Sequence, residues 1–243
     1  MAPLFLHFDD CEVDLLGDFS RLDHEAYGIY FADGSNPSSA VGTVIFSGVT
    51  FDYAIVACEE PDATTKIFCD ADLGKIKSAI TLGLGAAVAS GQHMPAVIKM
   101  LLLLADTLGS PLGAKSVYWT PASVTTGFAY YSETIRQYAN GAAFPALVTV
   151  AFDTDSDDCI RTSGLGWLAG QELLFERDYL PVNEAMRYVV RIVHDLATNG
   201  AVATEMEVPG MSGNERLQLI PDMTSGLLTA RRKHVQNGVN SSG

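Results

Sequence analysis

Between Met94 and Leu108 the chain is apolar at nearly every position and charged only at Lys99 and Asp106. The run falls short of the roughly 20 apolar residues that span a bilayer. It therefore reads as a helix buried inside the protein, which needs other elements packed around it. Pro95 suits its first turn, and Gly109 followed by Pro111 marks its expected end. At 243 residues, 48% of them hydrophobic, the chain can fill such a core as one large domain or two small ones.

The rest of the pattern alternates between strand and helix periods. Two β-rich runs, Thr43–Phe46 and Phe51–Cys58, flank Ser47-Gly48 and predict a hairpin, with Phe51, Tyr53 and Ile55 sharing one face. Ala79–Val88 reads as a strand, as do Val117–Thr120, Ala146–Phe152 and Leu173–Glu176. Ser123 is placed to cap a helix reaching Ala139, because Val124, Phe128, Tyr131, Ile135 and Tyr138 recur at helical spacing. A further helix over Asn183–Thr198 puts Met186, Val189, Val190, Val193 and Leu196 on one face, and Asn199-Gly200 closes it. Glu205–Val208 and Arg216–Ile220 alternate polar and apolar residues around the turn 209–214, which predicts a hairpin.

These elements predict an α+β fold, an antiparallel-rich sheet with helices packed mainly on one face, compatible with two ferredoxin-like halves. The polar loop 32–40 separates an expected N-terminal extension, 1–40, from a single α+β domain over 41–229. The polar and basic residues 230–243 are expected to form a disordered tail.

A net charge of −14 argues against binding to nucleic acid, whose phosphates demand a basic footprint, and against anionic membranes. It favours solubility and, beyond that, a basic protein partner. The N-terminus lacks the basic flank and long apolar run of a secretory signal, so the expected location is cytoplasmic. Cys11, Cys58, Cys69 and Cys159 show no metal-ligand spacing, which suits reduced thiols, no metal site and no cofactor. The sequence does not indicate an oligomeric state.

No Gly-x-Ser-x-Gly elbow, phosphate-binding loop or His-Glu-x-x-His pair is present. Gly83-Leu84-Gly85 and Gly164-Leu165-Gly166 are too short for a dinucleotide fingerprint and read as turns or bulges. Asp153-Thr154-Asp155-Ser156-Asp157-Asp158 begins like a calcium loop, but Asp158 and Gly164 stand where that loop needs Gly and Glu. A solvated acidic loop is the better reading, and Asp153, Asp155, Asp157 and Asp158 become candidate contacts to a basic partner. Glu172 follows the glycine turn and heads an apolar strand, where burial would raise its pKa; the plainer alternative is a strand-end carboxylate facing water. His194, beside the apolar face of its helix, is a weak candidate general base and more simply a structural histidine.

The stretch Thr162–Glu176, with Ser116–Thr120 and Arg191–Gly200, resembles the bacterial family called domain of unknown function 4261, over Ala114 to Pro221. Trp119 is similar to a tryptophan that ends a core strand in that family, whereas Lys75-Ile76-Lys77-Ser78 departs from its Ala/His-containing run. The resemblance implies a cytoplasmic bacterial domain found near secretion and toxin–immunity loci, and it assigns no catalytic residue. Two functions follow as expectations. The first is a non-enzymatic interaction protein of the immunity or adaptor kind. The second is an enzyme or small-ligand binder with a pocket near Trp119, Glu172 and His194, in which Trp119 would touch the ligand.

Overall fold

A computed structural model of the chain describes residues 2–32, 34–58, 65–155, 158–213 and 215–234. The fold is α+β, and the chain divides into two units, Met1–Ala151 and Phe152–Gly243, where the sequence suggested one domain over 41–229.

In the N-terminal unit β1 (Leu4–Phe8) and α1 (Glu12–Arg21) precede β2 (Ile29–Phe31), β3 (Val41–Phe46), β4 (Val49–Ala57), β5 (Thr65–Ile67) and β6 (Ser78–Leu84). Then come α2 (Pro95–Leu112), β7 (Ser116–Trp119), β8 (Val124–Gly127), α3 (Phe128–Ala139) and the single turn α4 (Ala146–Thr149). The strands form one sheet in the order β2-β3-β4-β6-β1-β7-β8-β5, with β5 parallel to β8. The expected N-terminal extension thus supplies a central strand. Its period-2 apolar residues explain this: Leu4 lies opposite both Leu82 and Trp119, and Leu6 opposite both Ile80 and Val117.

α1 packs on β4 and β6, α2 on the same strands and on α1 and α3, and α3 on β7 and β8. By length and composition α2 would pass for a membrane span. It is the core helix of this unit, with Leu101, Leu102, Leu104, Ala105 and Leu108 fully buried. It runs past Gly109 and takes Pro111 into its last turn, at the loss of one i→i−4 hydrogen bond, before left-handed Gly113 ends it.

Three local expectations change. Val124–Gly127 is a strand, because β-branched Val124, Thr125 and Thr126 pair with β7 on one side and β5 on the other. Ser123 is left-handed (φ 50) and the helix starts at Phe128, although Tyr131 and Ile135 of the expected stripe are buried. Ala146–Phe152 opens as a helical turn after Pro145, with the Thr149 hydroxyl donating to Pro145 O at 3.0 Å, and extends only from Ala151. β6 ends at Leu84, and residues Ala86–His93 form 3-10 turns.

The C-terminal unit holds β9 (Ala151–Asp155), β10 (Cys159–Ser163), α5 (Leu165–Ala169), β11 (Glu172–Glu176), α6 (Val182–Asn199), β12 (Met206–Pro209), β13 (Glu215–Asp222) and β14 (Leu227–His234). The sheet order is β12-β13-β14-β11-β10-β9, with β11 and β14 parallel. Neither unit follows the ferredoxin-like order β-α-β-β-α-β. Residues 230–234, expected in the tail, belong to β14 because their basic side chains find partners: Arg231 on Gln218, Arg232 on Glu215 and Lys233 on Glu207. The remainder of the expected tail, 235–243, lies outside the described residues.

α6 lies over β10 and β11. Of its predicted stripe Val189, Val193 and Leu196 are buried, together with Ala185, Tyr188 and Ile192, whereas Met186 and Val190 are half-buried, and Tyr188 stacks on Phe175 at 5.6 Å.

Candidate functional site

The carboxylate that the sequence singled out is committed to the fold. Glu172 Oε1 accepts the N–H groups of Gly164 and Gly166 at 2.8 Å each, and Oε2 accepts the Thr162 hydroxyl at 2.7 Å. Those amides open α5, so the side chain satisfies donors that a helix start leaves unpaired. Gly164 is left-handed (φ 92), which makes the glycine turn and the glutamate one device.

Trp119 is 1% exposed in the core of the N-terminal unit, opposite Leu4. His194 is half-buried on α6 in the C-terminal unit. Within that unit Glu172 heads β11, and its carboxylate is tied to Thr162 and to the start of α5. Of the acidic loop, Asp153 is exposed, and Asp158 pairs with Arg177 and accepts the Tyr179 N–H at 3.0 Å. Asp157 and the Asp155 side chain lie outside the described residues. Among the described residues no cluster of His, Cys, Asp and Glu has the makings of a metal site.

The feature that stands open is a groove in the C-terminal unit that sequence reasoning missed. It follows from strand and helix dimensions. A helix about 10 Å across covers two or three strands spaced about 4.8 Å apart, and α6, seated over β10 and β11, reaches β13 through Tyr188 and Glu215 and covers the β12 side of a six-stranded sheet less closely. There a cavity of about 390 Å³ runs between α6 and the β12–β13 hairpin. Ile192 and Leu196 form one wall, Met206 and Val208 the other, and Leu219 the floor, with Arg191 and Asp195 on the rim.

Both ends of the groove are tied. At one end the side-chain amide of Gln171, 1% exposed, donates to Val202 O and accepts from Val202 N, each at 2.9 Å, which fixes the segment between α6 and β12. At the other end Arg191 Nη1 donates to Gly210 O at 2.9 Å. Gly210 is held in turn by Glu215, whose main-chain oxygen accepts the Gly210 N–H and whose carboxylate accepts the Met211 N–H at 3.0 Å and the Tyr188 hydroxyl at 2.8 Å. A Cβ at Gly210 would stand 2.6 Å from the Glu215 side chain, so the turn requires glycine.

Glu215 is nearly fully buried and pairs with Arg232 at 3.3 Å, Arg232 also reaching Asp178 at 3.7 Å. Burial alone would raise its pKa. The Tyr188 hydroxyl, the Met211 N–H and the Arg232 guanidinium outweigh that and hold the carboxyl below its ordinary value. Met206, 45% exposed, stands at the groove mouth on β12, the edge strand of the sheet.

No protein family, curated protein or solved structure matches this chain. The family resemblance therefore rests on the quoted residues alone.

Proposed function

We propose that the protein is a non-enzymatic interaction protein, of the immunity or adaptor kind that the family resemblance implies, and that it engages its partner through the groove beside α6. The observation that carries this is the pre-formed groove itself: apolar walls, an edge strand along its mouth, and both ends anchored by part-buried hydrogen bonds. A groove that is already formed loses less entropy when it is filled than one that must first be ordered. The net charge of −14 supports the reading by speeding encounter with a basic partner. Glu172, with its oxygens on three structural donors, favours this over catalysis in the same unit.

The test is affinity capture from the native host at low salt, followed by amide hydrogen exchange of the recovered complex. Protection of α6 and β12 is expected. A partner whose footprint lies wholly outside 182–222, or binding insensitive to salt, refutes the proposal.

A further inference from the structure

The side chains that tie the two ends of the groove each touch a methionine sulfur as well. Gln171 Nε2, the donor to Val202 O, lies 3.6 Å from Met223 Sδ, and Arg191 Nη1, the donor to Gly210 O, lies 3.9 Å from Met211 Sδ. A thioether is a weak acceptor, so the second hydrogen of each nitrogen is poorly matched. The mismatch counts most at Gln171, which is 1% exposed, because a buried donor has no water to turn to. Both sulfurs hang from pinned backbone. The Met211 N–H donates to the Glu215 carboxylate at 3.0 Å, and Met223 sits in the turn where Asp222 accepts the N–H groups of Thr224 and Ser225. Met211 is 44% exposed and Met223 63%, within reach of a small oxidant.

A two-electron oxidant such as hydrogen peroxide converts a thioether to a sulfoxide. A sulfur lone pair takes one peroxide oxygen, the O–O bond breaks, and the other oxygen leaves as water with both protons. The oxygen so added is a strong acceptor, and on sulfurs 3.6 and 3.9 Å from the donors it comes within ordinary hydrogen-bond reach of the same nitrogens. Each nitrogen carries two hydrogens, so the bond to the main-chain oxygen is kept while the second is gained. Sulfoxides ordinarily disrupt apolar cores; at these two positions they meet waiting donors. We infer that Met211 and Met223 are a pair of reversible oxidation sites, at which peroxide-class oxidants fasten the two ends of the groove and methionine sulfoxide reductase releases them. What this does to a partner rests on the interaction reading above; the two sites do not.

The test treats the full chain with dilute hydrogen peroxide in a Met206→Leu background, which removes the other exposed sulfur on the groove lining. Peptide mass mapping should find one added oxygen on Met211 and one on Met223. Amide exchange should slow at least threefold at Val202, whose N–H Gln171 accepts, and at Gly210, and should recover after treatment with the reductase. Met223→Leu is expected to lose the response at Val202 alone, and Met211→Leu the response at Gly210 alone. Met94, 56% exposed in the N-terminal unit, is the control for exposure, and its oxidation should move neither amide. Unchanged or faster exchange in a chain carrying both sulfoxides overturns the inference. So does a response that survives both leucine variants, or a chain in which Met94 is oxidised while Met211 and Met223 are not. No partner enters the measurement, so its failure leaves the groove reading standing, and a failed capture leaves the oxidation sites standing.

Discussion

His7 makes the stability of the N-terminal unit depend on pH in a way that can be worked out in advance. It sits on β1, between β6 and β7, with no exposed surface, its Nδ1 3.0 Å from Ser116 Oγ and its Nε2 without a partner. Burial lowers its pKa from 6.5 to about 4. Between those values the unfolded chain binds a proton that the folded chain refuses, so stability rises with pH. It is complete above 6.5 and falls as the pH drops to about 4. At about 1.4 kcal/mol for each step of one in pH, the loss comes to roughly 3 kcal/mol, a large share of the stability of a domain this size. Urea unfolding at pH 7.5, 5.5 and 4.5 measures it, with Trp119 fluorescence as the probe in a Trp167→Phe background so that the signal reports this unit. Carboxylates and His24, whose pKa burial also lowers, titrate in the same window. The informative quantity is therefore the difference between wild type and His7→Gln, which should shrink by roughly 3 kcal/mol towards low pH. Parallel pH dependences in the two proteins would refute the reasoning.

Three other outcomes are expected. Glu172→Ala strands two amides and a hydroxyl at the start of α5 and should lower stability by about 2 kcal/mol or more, seen in Trp167-detected unfolding, with partner capture intact. Glu215→Ala leaves Arg232 buried without its main counter-charge and should cost about 3 kcal/mol. In wild type the stabilisation from Glu215 is present above its ordinary pKa of 4.5 and lost as pH falls through its lower folded value, which denaturant titrations from pH 5 to 3 should show against Glu215→Gln. Gly127→Ala would place a Cβ 2.2 Å from Phe68 O, a backbone atom that cannot step aside, and should cost about 3 kcal/mol by thermal melting.

The elements that the sequence revealed are those whose own periodicity settles their environment. The stripe of α6, the β3–β4 hairpin with left-handed Ser47 and Gly48 at its turn, and the apolar α2 all read correctly because one face, or nearly every face, is apolar. Reading failed where tertiary pairing overrides a local pattern. Val124–Gly127 fits a helical spacing with Phe128 and Tyr131, yet its β-branched residues are claimed by strands on both sides. Arg231 to Lys233 look like a solvated basic tail until β13 supplies Gln218 and Glu215, and β12 supplies Glu207, as their partners.

The site shows the same division between what spacing encodes and what only assembly supplies. Glu215 was within reach of the sequence, since Glu215, Leu217 and Leu219 share one face by alternation, and a carboxylate on a buried face needs partners. Glu172 misled for a related reason: a glutamate beside a glycine turn is the signature both of a reactive carboxyl approaching a loop and of a carboxyl closing the start of a helix. What separates the two is the number of donors aimed at its oxygens, and α5 is too short for the sequence to announce those donors as a helix start. The groove has no motif because it arises from a mismatch of widths, one helix against six strands. Its residues, Ile192, Leu196, Val208 and Leu219, are individually ordinary core positions. They border a groove because α6 is seated over β10 and β11, and Gln171 and Arg191 fix its two ends.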